Sequence, residues 1–119
     1  MVSRVQNNGL ARITSLLAAA SWWLGWGTGT AAAASATALT VGVATEARVA
    51  AATAQGTTTV TNDRLTLTGT ITAAGVRAIT EVGAFDALTA GNMNFYADFT
   101  VVNLAASDSI AFTLNTTFA

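Results

Sequence analysis

The chain has 119 residues, a net charge of −1 and only 9% charged residues. It contains 27 Ala and 21 Thr but no Cys, His, Lys or Pro. Without Cys and His it lacks thiolate nucleophiles, imidazole bases and the usual zinc ligands. Its five scattered Arg do not form the basic face that nucleic acid requires. These absences predict a non-enzymatic protein with no catalytic residue, no cofactor, no metal and no nucleic-acid partner.

The low charge carries a second implication. A soluble domain usually has about 25% charged residues, so this chain is expected to bury surface against neighbours or to lie in a bilayer. Disorder is not expected, because 52% of the residues are hydrophobic.

The N-terminal region predicts one short helix, from Gly9 to Ser21, followed by a strand near Trp22. Asn7 or Asn8 would cap the helix start and Gly25 would end it. Apolar residues recur there at helical spacing, at Leu10, Ile13, Leu16, Leu17 and Ala20. The clean apolar run is shorter than the about 20 residues of a transmembrane helix, so we expect no membrane partner.

The same region allows an alternative interpretation as a signal peptide. Arg4 and Arg12 would supply the positive start, residues 13–24 the apolar run and residues 34–36 the small-residue cleavage site. A polar stretch at 6–9 and a turn-rich stretch at 25–30 weigh against it. The alternative would make the chain a secreted surface adhesion module.

The second half of the chain is expected to form strands. Apolar residues alternate with Thr, Asn and other polar residues over 65–73, 93–101 and 110–118. Residues 78–85, 48–54 and 57–61 are also β-prone, and turn signals stand at 62–63 and 74–75. For the last strand, the sequence leaves open whether it closes a sheet or forms an edge that pairs with a neighbour.

Together these elements predict a mostly β protein, an antiparallel β-sandwich (jelly-roll-like) with one short N-terminal α-helix. We expect a single domain over 1–119. Its parts are a helix and Trp/Gly-rich strand at 1–30, a low-complexity arm at 31–47 and antiparallel strands at 48–119.

Candidate interface residues are the clustered tryptophans, the start of the arm and one tyrosine. On a strand, Trp22 and Trp23 face opposite sides, so at least one needs a partner outside a shared core. Core packing is the simpler interpretation of the tryptophans, and residues 31–36 form either a helical turn or an arm on a neighbour. The full set is Trp22, Trp23, Trp26, Ala31, Ala32, Ala33 and Tyr96.

Two further patterns favour structural roles over chemistry. Gly25, Gly27 and Gly29 alternate, which in a strand permits close backbone approach, and they lack the Lys of a phosphate-binding loop. Glu81 lies in an otherwise apolar strand, where we expect it to pair with an Arg such as Arg48 or Arg77 or to face solvent.

Several segments, taken in order, carry a family resemblance over about 110 residues. They are Gly9-Leu10, Leu24-Gly25-Trp26-Gly27-Thr28-Gly29-Thr30, Thr37-Ala38-Leu39, Glu46-Ala47-Arg48, Ile79-Thr80-Glu81-Val82-Gly83-Ala84-Phe85-Asp86 and Asp108-Ser109-Ile110-Ala111-Phe112. This order resembles small virion structural proteins of tailed bacteriophages. Ala36 departs from the pattern, standing where an Asp is usual before Thr37.

The resemblance implies a non-enzymatic part of the phage particle. We expect a capsid decoration (cement) protein on the capsid exterior that bridges capsomers, with the major capsid protein and itself, as a trimer, for partners. A tail, baseplate or fibre-adaptor component is the first alternative. A secreted adhesion module and a small carbohydrate-binding module, the latter using an exposed Tyr96 and the tryptophans, are the others.

Overall fold

A computed structural model describes residues 1–119 as one helix and seven strands. The elements are α1 (Asn7–Ala19), β1 (Trp23–Gly27), β2 (Val49–Ala50), β3 (Ala52–Gly56), β4 (Arg64–Thr72), β5 (Arg77–Phe85), β6 (Met93–Leu104) and β7 (Ser109–Thr117). One sheet has the order β2-β1-β5-β6 and the other β3-β4-β7, and every pairing is antiparallel. The predicted antiparallel sandwich with one N-terminal helix is confirmed.

The core lies between the two sheets and follows the predicted alternation of β4. Leu65 and Leu67 are at most 1% exposed, and they meet Leu24 and Trp26 of β1, which are equally buried. The intervening Thr residues of β4 face outward, where their β-branched side chains suit an extended backbone. Burial of one face of each sheet therefore fixes the register of the strands.

The helix begins and ends two residues earlier than predicted. Its N-cap is Gln6, with no side-chain cap, so the predicted capping by Asn7 or Asn8 is wrong. It ends at Ala19 without needing Gly25, because the indole Nε1 of Trp22 donates to the carbonyl of Leu17 (2.8 Å) and satisfies an end carbonyl.

Four side-chain hydrogen bonds attach the helix to β3 and to the turn before β4, and the Gln55 amide makes two of them, to the Ala11 carbonyl and the Thr14 hydroxyl. The buried Thr14 hydroxyl donates to the Asn62 carbonyl (2.6 Å), and the Thr53 hydroxyl donates to the Ala18 carbonyl (2.7 Å). No helix in the structure has the length and apolar character that a bilayer-spanning segment needs.

The predicted strand over residues 57–61 is a turn instead. The buried carboxylate of Asp63 accepts the backbone N–H groups of Thr58, Thr59 and Val60 at 2.7–3.0 Å. Hydrogen bonds from Val60, Thr58 and Thr59 hold the pKa of Asp63 below its ordinary value. Those N–H groups are thereby withdrawn from any strand ladder, and Thr β-propensity is overridden.

The pairing of β5 with β6 is irregular between Ile79 and Glu81. Ile79 faces the core, and beyond the irregularity Val82 and Ala84 do so, which turns Glu81 to the outer face of the sheet. Val101, the last apolar residue of the alternation at 93–101, lies within this irregularity and is 46% exposed, so the alternation does not continue inward to that residue.

Candidate interaction surfaces

Four of the six segments that carry the family resemblance, at 24–30, 37–39, 46–48 and 79–86, meet at the four-stranded sheet, while Gly9-Leu10 lies in α1 and residues 108–112 enter β7 of the other sheet. In the pairing of β1 with β5, Gly27 lies opposite Glu81 and Gly25 opposite Gly83. The arm, residues 31–47, crosses this face. Towards its end it pairs with the edge of β1 beside β2 through two backbone bonds, from Thr28 N–H to the Val41 carbonyl (2.9 Å) and from Val43 N–H to the Trp26 carbonyl (3.0 Å).

The Glu81 side chain, on β5, binds the arm through hydrogen bonds. Its side chain is 0% exposed and its carboxylate accepts four hydrogen bonds of 2.9–3.1 Å. The donors are the backbone N–H groups of Gly29, Thr40 and Val41 and the hydroxyl of Tyr96. The predicted pairing of Glu81 with Arg48 or Arg77, or its exposure to solvent, is therefore wrong. Backbone amides take the place of a cation.

The alternating glycines make this close approach possible, as predicted. A Cβ at Gly27 would collide with the Glu81 carboxylate and the Val41 carbonyl. At Gly29 it would lie 2.7 Å from the Thr40 Cβ and 2.8 Å from the Val41 nitrogen. Side chains at either position would push the arm away from the sheet and break the bonds to Glu81.

Both ends of the arm are tied to the sheet by charged side chains. At its start, the Ala31 N–H donates to the Asp98 carboxylate (2.8 Å), and Ala31 has a left-handed φ of 56°. At its end, Glu46 accepts two bonds of 2.9 Å from the Arg77 guanidinium. The hydrogen bonding from Arg77 lowers the pKa of Glu46 below its ordinary value.

Arg48, next to the arm, joins it to the loop after β5. Its guanidinium lies 3.5 Å from the centre of the Phe85 ring and donates to the carbonyls of Ala87 (2.9 Å) and Ala90 (2.7 Å). Burial lowers the pKa of Arg48. This cation–π contact thus links the residue that follows the arm to the last residue of β5.

Two of the three candidate interface tryptophans are buried in the core of the chain. Trp22 (6% exposed) and Trp26 (1% exposed) lie in the core, and Trp22 packs edge-on against Phe95 at 5.3 Å. Trp23 is half-buried on the opposite face of the strand. Of the three, Trp23 therefore offers the most surface to a partner, and its interface role stays a prediction.

The other candidates flank the arm. Ala31 and Ala33 are exposed and Ala32 is half-buried. Tyr96 is half-buried rather than exposed, and its hydroxyl points inward at Glu81 (3.0 Å). Desolvation by burial raises the pKa of Tyr96. The hydroxyl is therefore engaged inside the chain, which removes the exposed tyrosine that sugar stacking was expected to use.

A second surface lies at one lateral side of the sandwich, between β6 and β7. These outermost strands of the two sheets bound an open apolar groove of about 510 Å³. Its apolar lining includes Phe95, Phe99, Ile110, Phe112 and Leu114. The alternation in the sequence identifies these residues as inward-facing, but it gives no sign that β6 and β7 are both outermost.

Neither surface gathers groups suited to chemistry. No three carboxylates come together in a way that would hold a metal ion, and the buried carboxylates of Glu81 and Asp63 each accept three backbone N–H groups. The arrangement is a weakly charged scaffold with one sheet face covered by the arm and one open apolar side.

Comparison with known proteins gives one assignment. A family model described as podophage GP4 fiber I protein gp80 matches residues 5–117. No curated protein and no solved structure matches the chain. Because the family match covers nearly the whole sequence, the chain belongs to this podophage fibre protein family and is a small structural protein of the tailed-phage virion.

Proposed function

We propose that this chain is a structural subunit of the virion's fibre, or of the site at which the fibre is attached, and that it works through surface contacts without catalysis. The observation that carries the proposal is the match of residues 5–117 to a family described as a fibre protein. The resemblance found in the sequence left this location open as an alternative to capsid decoration.

The structure is compatible with such a role. The molecule measures 52 × 26 × 25 Å, and the arm is bonded to its own sheet along its length. A subunit that transmits force needs a fixed shape, and the buried Glu81 carboxylate attaches the arm to the sheet through hydrogen bonds from Thr40 and Val41.

Capsid decoration remains a second candidate because of the weak surface charge. With 9% charged residues in a 12.0-kDa chain, the exposed surface suits extensive contact with neighbouring subunits. A cement protein that bridges capsomers uses such contact, with the major capsid protein as partner. A fibre subunit uses it equally, with copies of itself and fibre proteins as partners.

Quantitative mass spectrometry of purified virions, separated into head and tail-plus-fibre fractions, distinguishes the two. The major capsid protein and a tail subunit serve as internal references. A fibre subunit should appear at a small fraction of the capsid copy number. Hundreds of copies in heads freed of fibres would overturn the fibre proposal in favour of decoration, and absence from the particle would overturn both.

A further inference from the structure

The four edge strands of the sandwich are protected to very different degrees. β2 has only two residues, and β3 has five residues lined by the helix. β6 is long, but its pairing is irregular and it carries Asp98. Short length, irregularity, charge and a covering helix are the usual ways in which proteins prevent edges from pairing with another chain.

The β7 edge has none of these protections. It pairs with β4 over nine consecutive residues, from Thr117 opposite Arg64 to Ser109 opposite Thr72, with no bulge. Its sequence, SIAFTLNTT, contains no charged residue and no proline. The side of β7 away from β4 therefore presents a straight row of unpaired backbone N–H and C=O groups.

The apolar groove lies directly beside this edge. Ile110 on β7 and Phe99 on β6 are only half-buried in the isolated chain. Nine residues at about 3.3 Å each make an edge about 30 Å long, and the molecule is 25 Å across. The projected area of this side is thus at most roughly 750 Å², of the order of the about 800 Å² that each partner buries in a standard stable interface.

We propose that a second copy of this chain covers this side, with its β7 paired antiparallel to the first β7. A second copy fits this surface because β7 carries no charge, so two β7 strands can pair without electrostatic repulsion. Such self-pairing is two-fold symmetric and closes both grooves together. The edge geometry thus favours a dimer in place of the trimer expected from the sequence.

The inference deepens the proposed function by naming the surface of self-association, but it rests on the fold and not on the location in the virion. Head and tail fractionation tests the location, and the self-association of the purified full chain tests this inference. Failure of one therefore leaves the other standing.

The test uses two matched double variants that place the same charges on the same outer face. Ala111→Lys with Thr113→Lys changes exposed positions on β7, where two copies would bring four lysines together across the new strand pair. Thr70→Lys with Thr68→Lys changes the residues directly opposite these on β4. That strand lies about 4.8 Å further from the partner.

Sedimentation equilibrium across the micromolar range gives the dimer Kd of each form, and circular dichroism and thermal melting confirm folding. We expect the wild type to dimerise, the β7 variant to bind itself at least about tenfold more weakly and the β4 variant to change less than about threefold. A wild type that is monomeric throughout, or equal weakening by both variants, would overturn the proposal.

Discussion

Two regions of the sandwich differ in how their exposed sheet surface is covered: the outer face of β1 and β5, and the side formed by β6 and β7. On the outer face of β1 and β5 the chain covers itself, with an arm held by a buried carboxylate and made possible by glycines. On the β6–β7 side nothing from the same chain covers the groove or the β7 edge. The contrast separates a surface completed by folding from one that we propose is completed by assembly.

Removal of the Glu81 carboxylate should be the most damaging change to the covered side. Glu81→Ala leaves three partly buried backbone N–H groups and the Tyr96 hydroxyl without an acceptor, at about 1 kcal/mol each. We expect a loss of at least about 3 kcal/mol in the free energy of unfolding, measured by urea denaturation.

The matched control is Glu81→Gln, which keeps one carbonyl acceptor and should lose less. Hydrogen exchange at Gly29, Thr40 and Val41 should accelerate in the alanine variant, while amides of β4 are spared until global unfolding. Uniform acceleration across both sheets would mean that the arm is not held separately by Glu81.

A methyl group at Gly27 should disturb the same side without removing any polar group. Gly27→Ala puts a Cβ against the Glu81 carboxylate and the Val41 carbonyl, and overpacking of this kind costs about 1–3 kcal/mol. Gly42→Ala is the control, because Gly42 forms the bridge with Gly27 yet its Cβ would meet Leu39 at an ordinary 3.7 Å. Thermal melting should show a clear loss for the first and little change for the second.

The stability of the three-stranded sheet should depend on pH through Asp63. The turn that contains Asp63 is joined to the end of β7 by the bond from Phe118 N–H to the Asp63 carbonyl (2.8 Å). The pKa of Asp63 is lower in the folded chain than its ordinary value of about 3.9. The stability it contributes is therefore present above about pH 4 and is lost as the pH falls through the folded pKa.

Asp63→Asn should accordingly be less stable than the wild type at about pH 7, with the difference shrinking towards about pH 3. Denaturant titrations at both pH values give this difference. Asp108→Asn, which affects a turn carboxylate with one amide donor at 2.8 Å, is the control and should show a smaller loss. A constant difference for Asp63→Asn across the pH range would contradict the assigned role.

The smallest expected effect concerns the start of the arm. Ala31 adopts a φ of 56°, which costs a residue with a Cβ about 1–2 kcal/mol and glycine almost nothing. After the extra unfolded-state entropy of glycine, Ala31→Gly should stabilise by up to about 1 kcal/mol. Ala33 is exposed and lacks a positive φ, so Ala33→Gly should destabilise the chain slightly. Equal falls in the melting temperatures of the two variants would contradict backbone strain at Ala31.

Part of the covered side could be read from the sequence. The glycine alternation at 25–29 correctly indicates close backbone approach, and the spacing of three between Ile79 and Val82 breaks the two-residue period where the pairing of β5 is irregular. The partners of Glu81 could not be predicted, because they are backbone amides of Gly29 and of the arm, 40 to 52 residues away in the sequence. Every residue type except proline has a backbone N–H, so the residue types of the arm do not indicate which of them bind Glu81.

The sequence by itself determined the sandwich and its inward faces, because alternation with period two is a local property of each strand. It also determined the absence of chemistry based on thiols, imidazoles and lysines, and it carried the family resemblance through the order of its segments. Only the tertiary structure decided that Trp22 and Trp26 are core, that Glu81 holds the arm and that β7 is a bare edge. Those outcomes depend on which strands become neighbours, and that is fixed by packing between distant segments.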